Sequence, residues 1–265
     1  MTGAPADEVG ELLPGGHANR GRIRRAGDTV RRPLRPTSPS VHALLRHLEA
    51  VGFPGAPRVR GVDGTREVLD YVPGEVPGSR VPDALATDDA LASVALLLRD
   101  YHHAARGFDA AAWAWPRRAP AAWAGSVVVH NDPNIDNVVF RGGRAVALID
   151  FDLAAPADPL WDVALAVRLW APLRDPVDVH DARQGQELRR ARLFADAYGL
   201  AREERERLAA AVRDSGEWAY AAVEQAVDQG HREFAEYWRA KGGARAGRTR
   251  AWLEAHAAEV GDALR

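Results

Sequence analysis

The residues best equipped for chemistry lie between Val127 and Phe140, in the run Val-Val-Val-His-Asn-Asp-Pro-Asn-Ile-Asp-Asn-Val-Val-Phe. Its polar residues sit between two apolar runs. That pattern places His130, Asp132, Asn134, Asp136 and Asn137 on one tight loop between short strands. Soon after, an apolar strand over 145–149 ends in Asp150-Phe151-Asp152. Carboxylate and amide oxygens are the ligands magnesium prefers, and magnesium leaves room for water and substrate phosphates. If the two loops are neighbours, Asn137, Asp150 and Asp152 converge as ligands. Asp132 then remains as a carboxylate beside the metal, where it can orient a hydroxyl and accept its proton. Aspartate and asparagine also favour plain turns. For one such residue alone, a turn is the simpler explanation. For the whole set together with Asp150 and Asp162 it is a poor one.

The elements that must position these residues fall into two parts. Arg20–Arg25 and Thr29–Arg32 flank Ala26-Gly27-Asp28 and suit a hairpin. Ser40 reads as the cap of a helix over 41–51 with Val41, Leu44, Leu45 and Leu48 on one face. Val59–Val62 and Glu67–Val72 read as two further strands around Asp63-Gly64. The segment Pro73-Gly74-Glu75-Val76-Pro77-Gly78 reads as a linker, after which the pattern becomes helical. Thr87 caps a helix to about Ala105, and further helices are expected over 158–171, 183–198, 202–229 and 231–258. Trp113, Trp115 and Trp123 either overhang an acceptor pocket or form a hydrophobic plug.

Composition excludes several classes. The chain has no cysteine, so it has neither disulfides nor thiolate metal sites. A net charge of -2 gives no reason to expect nucleic-acid binding. No apolar run approaches the length of about 20 residues that spans a bilayer, and the first residues do not read as a signal peptide. The cytoplasm is the expected location. Lys241 is the sole lysine, so a phosphate clamp must use arginine. Residues 20–35 hold seven arginines against one acid, Asp28, and read either as solvated strand faces or as a positive strip over a phosphate-bearing ligand.

The spacing His130-x-Asp132-x-x-x-x-Asn137, with Asp150 following, matches the catalytic-loop template of protein kinases. More closely, the chain resembles the aminoglycoside phosphotransferase and choline kinase family. There the loop reads His-Gly-Asp-x-x-x-x-Asn, a strand ends Ile-Asp, and Asp-Pro-x-x-Asp-Leu-Ala opens a helix. Here these are His130-Asn131-Asp132 to Asn137, Ile149-Asp150, and Asp158-Pro159-Leu160-Trp161-Asp162-Val163-Ala164. The His-Asn-Asp spelling and the stretch 147–163 resemble the trifolitoxin-immunity-like branch.

The resemblance implies a two-lobed α+β protein-kinase-like fold, with a small antiparallel-sheet lobe at 1–73 and a mainly helical lobe at 74–265. It implies magnesium-dependent transfer of the γ-phosphoryl group of ATP (or GTP) to a hydroxyl of a small molecule such as an aminoglycoside or amino alcohol. Asp132 is then the catalytic base, and Asn137 and Asp150 bind magnesium, with Asp152 as a possible further contact. His130 and Asp162 brace the loop. Gly15, Gly16 and Asn19 stand at the nucleotide loop, and the backbone of Asp70, Tyr71 and Val72 meets adenine. Arg31, with Arg32 as rival, grips the phosphates. The family's partner glutamate on the following helix is missing, since Val41 or His42 stands in its place and Glu49 lies two turns too late. Glu217, Glu224 and Asp228 are candidates to face a cationic acceptor, or a solvated helix face. The alternative to an enzyme is a non-catalytic immunity or binding protein of this fold that sequesters a peptide antibiotic or other ligand.

Overall fold

The computed structural model describes residues 10–13, 21–78, 80–230 and 232–265 of the chain, with backbone alone at 232–234. Gly15, Gly16 and Asn19 lie outside them. Strands β1 (Glu11–Leu12), β2 (Arg24–Ala26), β3 (Thr29–Pro33), β4 (Val59–Asp63) and β5 (Arg66–Asp70) form an antiparallel sheet in the order β1-β2-β3-β5-β4. The expected β2–β3 hairpin is present. It turns at Gly27, where φ is +61°, a conformation that costs glycine little.

Between β3 and β4 runs α1 (Ser38–Ala50). It begins three residues earlier than the sequence pattern suggests, with Thr37 at the cap position. Proline is tolerated in a first helical turn, so Pro39 does not break the helix. Ser40 is therefore not a cap, and its hydroxyl donates to the Ala114 carbonyl at 2.5 Å. Val41, Leu44, Leu45 and Leu48 are all buried, as their spacing demands.

The remainder is mainly helical. Thr87 caps α2 (Asp88–Ala105) by accepting from the Ala90 amide, and Leu91, Val94, Leu98 and His102 turn inward. Next come the short strands β6 (Val127–Val129), β7 (Val138–Arg141), β8 (Arg144–Leu148) and β9 (Ala155–Ala157). β6 pairs with β9 and β7 with β8. Helices α3 (Pro159–Trp170), α4 (Glu187–Tyr198), α5 (Arg202–Asp228), α6 (Arg232–Tyr237), α7 (Gly243–Ala255) and α8 (Ala257–Leu264) follow. The helix expected over 231–258 is divided by a π-turn at Trp238–Gly242 and a break at His256. No helix among the described residues is long and apolar enough to cross a membrane. One apolar core joins both parts, with Leu44 and Leu48 of α1 and Leu91 and Leu98 of α2 in the same cluster.

The passage between the parts is pinned to β7. The Glu75 amide donates to the Phe140 carbonyl and the Phe140 amide to the Glu75 carbonyl, each at 2.8 Å. Gly74 has φ +156°, and a Cβ there would lie 2.4 Å from the Phe140 oxygen. Gly74→Ala should therefore destabilise the protein by about 1–3 kcal/mol, seen as a lower Tm. An unchanged Tm would mean that this crossing is not held as described.

Candidate active site

The two loops that carry the chemistry meet because of strand pairing. β6 leads into residues 130–137 and β7 leads out, while β8 leads into Ile149-Asp150. Val138 lies opposite Leu148, and the Ile149 amide donates to the Asn137 carbonyl at 2.9 Å. The chain then turns sharply. Asp150 adopts φ +64°, a left-handed conformation unusual for a residue with a side chain and found mainly at functional sites.

Asp162, on the first turn of α3, holds the loop from below. Its Oδ2 accepts the His130 amide at 2.8 Å and its Oδ1 the Asn131 amide at 2.9 Å. His102 Nε2 lies 3.0 Å from the same carboxylate, and all four residues are buried. His130 Nε2 donates to the Ile149 carbonyl at 3.1 Å and so ties one loop to the other. Burial is the main force that lowers its pKa below the ordinary value, so the ring stays neutral at pH 7. These contacts place His130 and Asp162 as structural groups.

Sequence reasoning missed two supports of this loop. Asn131 takes φ +62°, a position where asparagine is tolerated and glycine is standard. Its side chain donates to the Leu153 carbonyl and accepts from Trp161 Nε1. The departure from His-Gly-Asp was itself the signal, because a residue replacing glycine at positive φ can add side-chain bonds. His102 is the second support, and nothing in its local pattern announces its partner.

Asn137 Nδ2 donates to Asp132 Oδ2 at 2.9 Å and to the Asp132 carbonyl at 3.0 Å. That orientation turns the Asn137 oxygen away from Asp132. Asp150 Oδ1 accepts from Arg32, and Oδ2 has no hydrogen-bond partner among the described residues. The Asn137 amide oxygen and the Asp150 carboxylate are hard donors of the kind magnesium takes, on loops joined by the Ile149–Asn137 backbone bond. Burial, followed by the charges of Asp150 and Asp136, pushes the Asp132 carboxyl up to about 7, against an ordinary value of about 3.9.

Two expectations are corrected. Arg32, not Arg31, lies in the cleft. It is buried, with Nε 2.6 Å from Glu67, Nη1 2.7 Å from Asp150 and Nη2 2.7 Å from Asp152. Arg31 faces outward and pairs with Asp63 at 2.8 Å. The reason is register: Arg32 stands opposite Glu67 of β5, and a shift of one residue would exchange the faces. Burial opposes the Arg32 charge, but Asp152, Asp150 and Glu67 outweigh it and hold its pKa above the usual arginine value. Asp152 is the second correction. Its two oxygens accept from Arg32 and Arg35, so both are already engaged by arginines.

The expected absence of a helix glutamate has an unexpected complement. The acid that pairs with the cleft cation comes from β5, and α1 contributes His42, whose Nε2 lies 2.5 Å from Glu67 Oε2. Glu49 pairs instead with Arg58 at 3.5 Å. At the crossing between lobes, the Asp70 amide donates to the Arg58 carbonyl and the Tyr71 amide to the Asp28 carbonyl. Trp123 proves to be a plug: it is buried, stacks on Trp161 and donates to Asp214.

Comparison with known proteins agrees with this geometry. Residues 101–203 match the model of the phosphotransferase enzyme family. The trifolitoxin immunity protein of Rhizobium leguminosarum bv. trifolii is 33% identical over 215 residues, which is 75% of this chain and 77% of that protein. A choline/ethanolamine kinase family protein from Mesorhizobium loti superposes with a TM-score of 0.56 at 19% identity, covering 98% of this chain and 94% of the other. The ternary complex of streptomycin, ATP and APH(2")-IIa superposes at 0.53 with 16% identity, covering 81% and 90%. The last two comparisons establish the kinase-like fold.

Removing the Asp162 carboxylate would strand two buried amides and His102. Asp162→Ala should cost about 3 kcal/mol, measurable by urea denaturation, and a loss below 1 kcal/mol would show that the loop holds itself. The raised Asp132 pKa has the opposite sign for stability. The folded protein keeps a proton that the unfolded chain releases near pH 4, so stability present at low pH is lost as pH rises towards 7. In EDTA, Asp132→Asn should raise Tm most at pH 8, and the gain should shrink towards pH 4. A gain independent of pH would refute the buried-charge account.

Proposed function

Since the chain belongs to the phosphotransferase enzyme family, in the branch that includes the trifolitoxin immunity protein, we propose that it transfers the γ-phosphoryl group of ATP (or GTP) to a hydroxyl of a small molecule. The observation that carries this reading is the meeting of Asp132, Asn137 and Asp150, with Asp132 beside the other two and pushed up to about 7. A base with a pKa near the working pH is suited to take a proton as a bond forms.

In the proposed reaction the acceptor oxygen attacks the γ-phosphorus. The bond from that phosphorus to the bridging oxygen breaks, the hydroxyl proton passes to Asp132, and ADP leaves. Asn137 and Asp150 hold magnesium, which when bound would neutralise phosphate charge. Arg32 meets the phosphates from the sheet side. Val72 is the hinge residue left to offer its amide to adenine, since the amides of Asp70 and Tyr71 are already engaged. On sequence pattern alone, Gly15, Gly16 and Asn19 cover the phosphates.

A second reading draws on the name of the 33% identical relative. In it the chain is an immunity protein that sequesters a peptide antibiotic without chemistry. One variant separates the two. Asp132→Asn should lower kcat by about 10²–10⁴-fold and leave magnesium-ATP affinity intact. Undiminished protection of a host by Asp132→Asn would favour sequestration. Arg32→Ala should raise KM for ATP at least tenfold, whereas Arg31→Ala should stay near the wild-type value. The reverse order would return the phosphate role to Arg31.

A further inference from the structure

An arginine of the helical lobe stands close enough to Asp132 to feel its charge. Arg168 projects from α3, the helix that carries Asp162 and whose Trp170 Nε1 donates to the Pro133 carbonyl at 3.0 Å, one residue from Asp132. The Arg168 Nε is buried and has no hydrogen-bond partner. The Tyr220 hydroxyl accepts a hydrogen bond from Arg168, no carboxylate among the described residues pairs with it, and Asp132 is the carboxylate that reaches it electrostatically. Its guanidinium lies 5.9 Å from the centre of the Tyr220 ring on α5. Arg245 of α7 is half-buried, forms no hydrogen bond or ion pair among the described residues, and is close enough to repel Arg168. Burial lowers the pKa of both arginines, and in Arg245 the charge of Arg168 adds to the push.

The acids of this region are spent elsewhere. Glu217 forms a two-pronged pair with Arg250 at 2.7–3.0 Å, and Glu224 also acts on Arg250. Asp178 is held by both prongs of Arg248. Asp214 accepts from Trp123. Glu217 is therefore not free to face a cationic acceptor. Two desolvated guanidiniums without carboxylates are costly unless an anion joins them. Arginine suits that role through its fork of donors.

Building on the phosphotransfer reading, we infer that the acceptor is an anionic hydroxy compound, bearing a carboxylate or phosphate that Arg168 and Arg245 receive while its hydroxyl meets Asp132. Cationic acceptors are repelled by the same two arginines.

Two measurements on the full chain test this separately from phosphotransfer. In the first, inorganic phosphate and D-glycerate are titrated without nucleotide or magnesium, and Tm is followed. Both should raise Tm of the wild type. Arg245→Gln on α7 should remove most of the shift, as should Arg168→Lys, which keeps charge but loses the fork. Choline at the same ionic strength should give none. In the second, ADP release with magnesium-ATP is compared for D-glycerate, glycerol and choline. D-glycerate should be the best acceptor, and Arg245→Gln should raise its KM at least tenfold with little change in kcat. An anion shift that depends on both arginines, with no ADP release from any compound, keeps the anion site and sinks phosphotransfer. Turnover of choline above D-glycerate, or a phosphate shift that survives both substitutions, overturns the anionic acceptor.

Discussion

Asp162 carries a carboxylate where no water reaches, and such a group is tolerable only with donors on every side. It finds them in the His130 and Asn131 amides and in His102. Those two amides belong to the residues just before Asp132, so satisfying Asp162 sets the path of the loop. His102 extends the constraint to α2 and, through Nδ1 to the Tyr198 hydroxyl at 2.7 Å, to α4. Trp161, the residue just before Asp162, adds its bond to Asn131. Groups that never touch Asp132 thus set the path of the chain into it, and Asn137 holds its carboxylate.

Arginine serves two opposite ends in this chain. In the cleft, Arg32 gathers three carboxylates, and the pairing outweighs the cost of burial. On α3 and α7, Arg168 and Arg245 are half-buried and pair with no carboxylate among the described residues. A near-neutral total charge conceals this contrast, since acids and bases almost cancel over the whole chain. Where the cancellation fails locally is more informative than the sum.

The loop and the apolar face of α1 were legible in the sequence because each depends on short spacing. Val127–Val129 bounds the same strand in pattern and in structure. The errors share one cause. Arg31 and Arg32 are told apart only by how β3 aligns with β5, and that register joins residues over thirty positions apart, such as Arg32 and Glu67. Asp152 likewise looked like a metal ligand because its arginine partners arrive from another lobe. His102 gained its role from Asp162, sixty residues on. Local pattern carries type and period, and long-range pairing decides which atoms face each other.

Kinases place the acid that steadies their phosphate-gripping cation on a mobile helix, which lets displacement of that helix act as an off switch. In this chain, cation and acid stand opposite one another on neighbouring strands of one sheet, with α1 adding only His42 behind the acid. Tilting α1 would leave the Arg32–Glu67 pair standing. A displaced α1 would therefore not separate this pair, which the pairing of β3 with β5 holds.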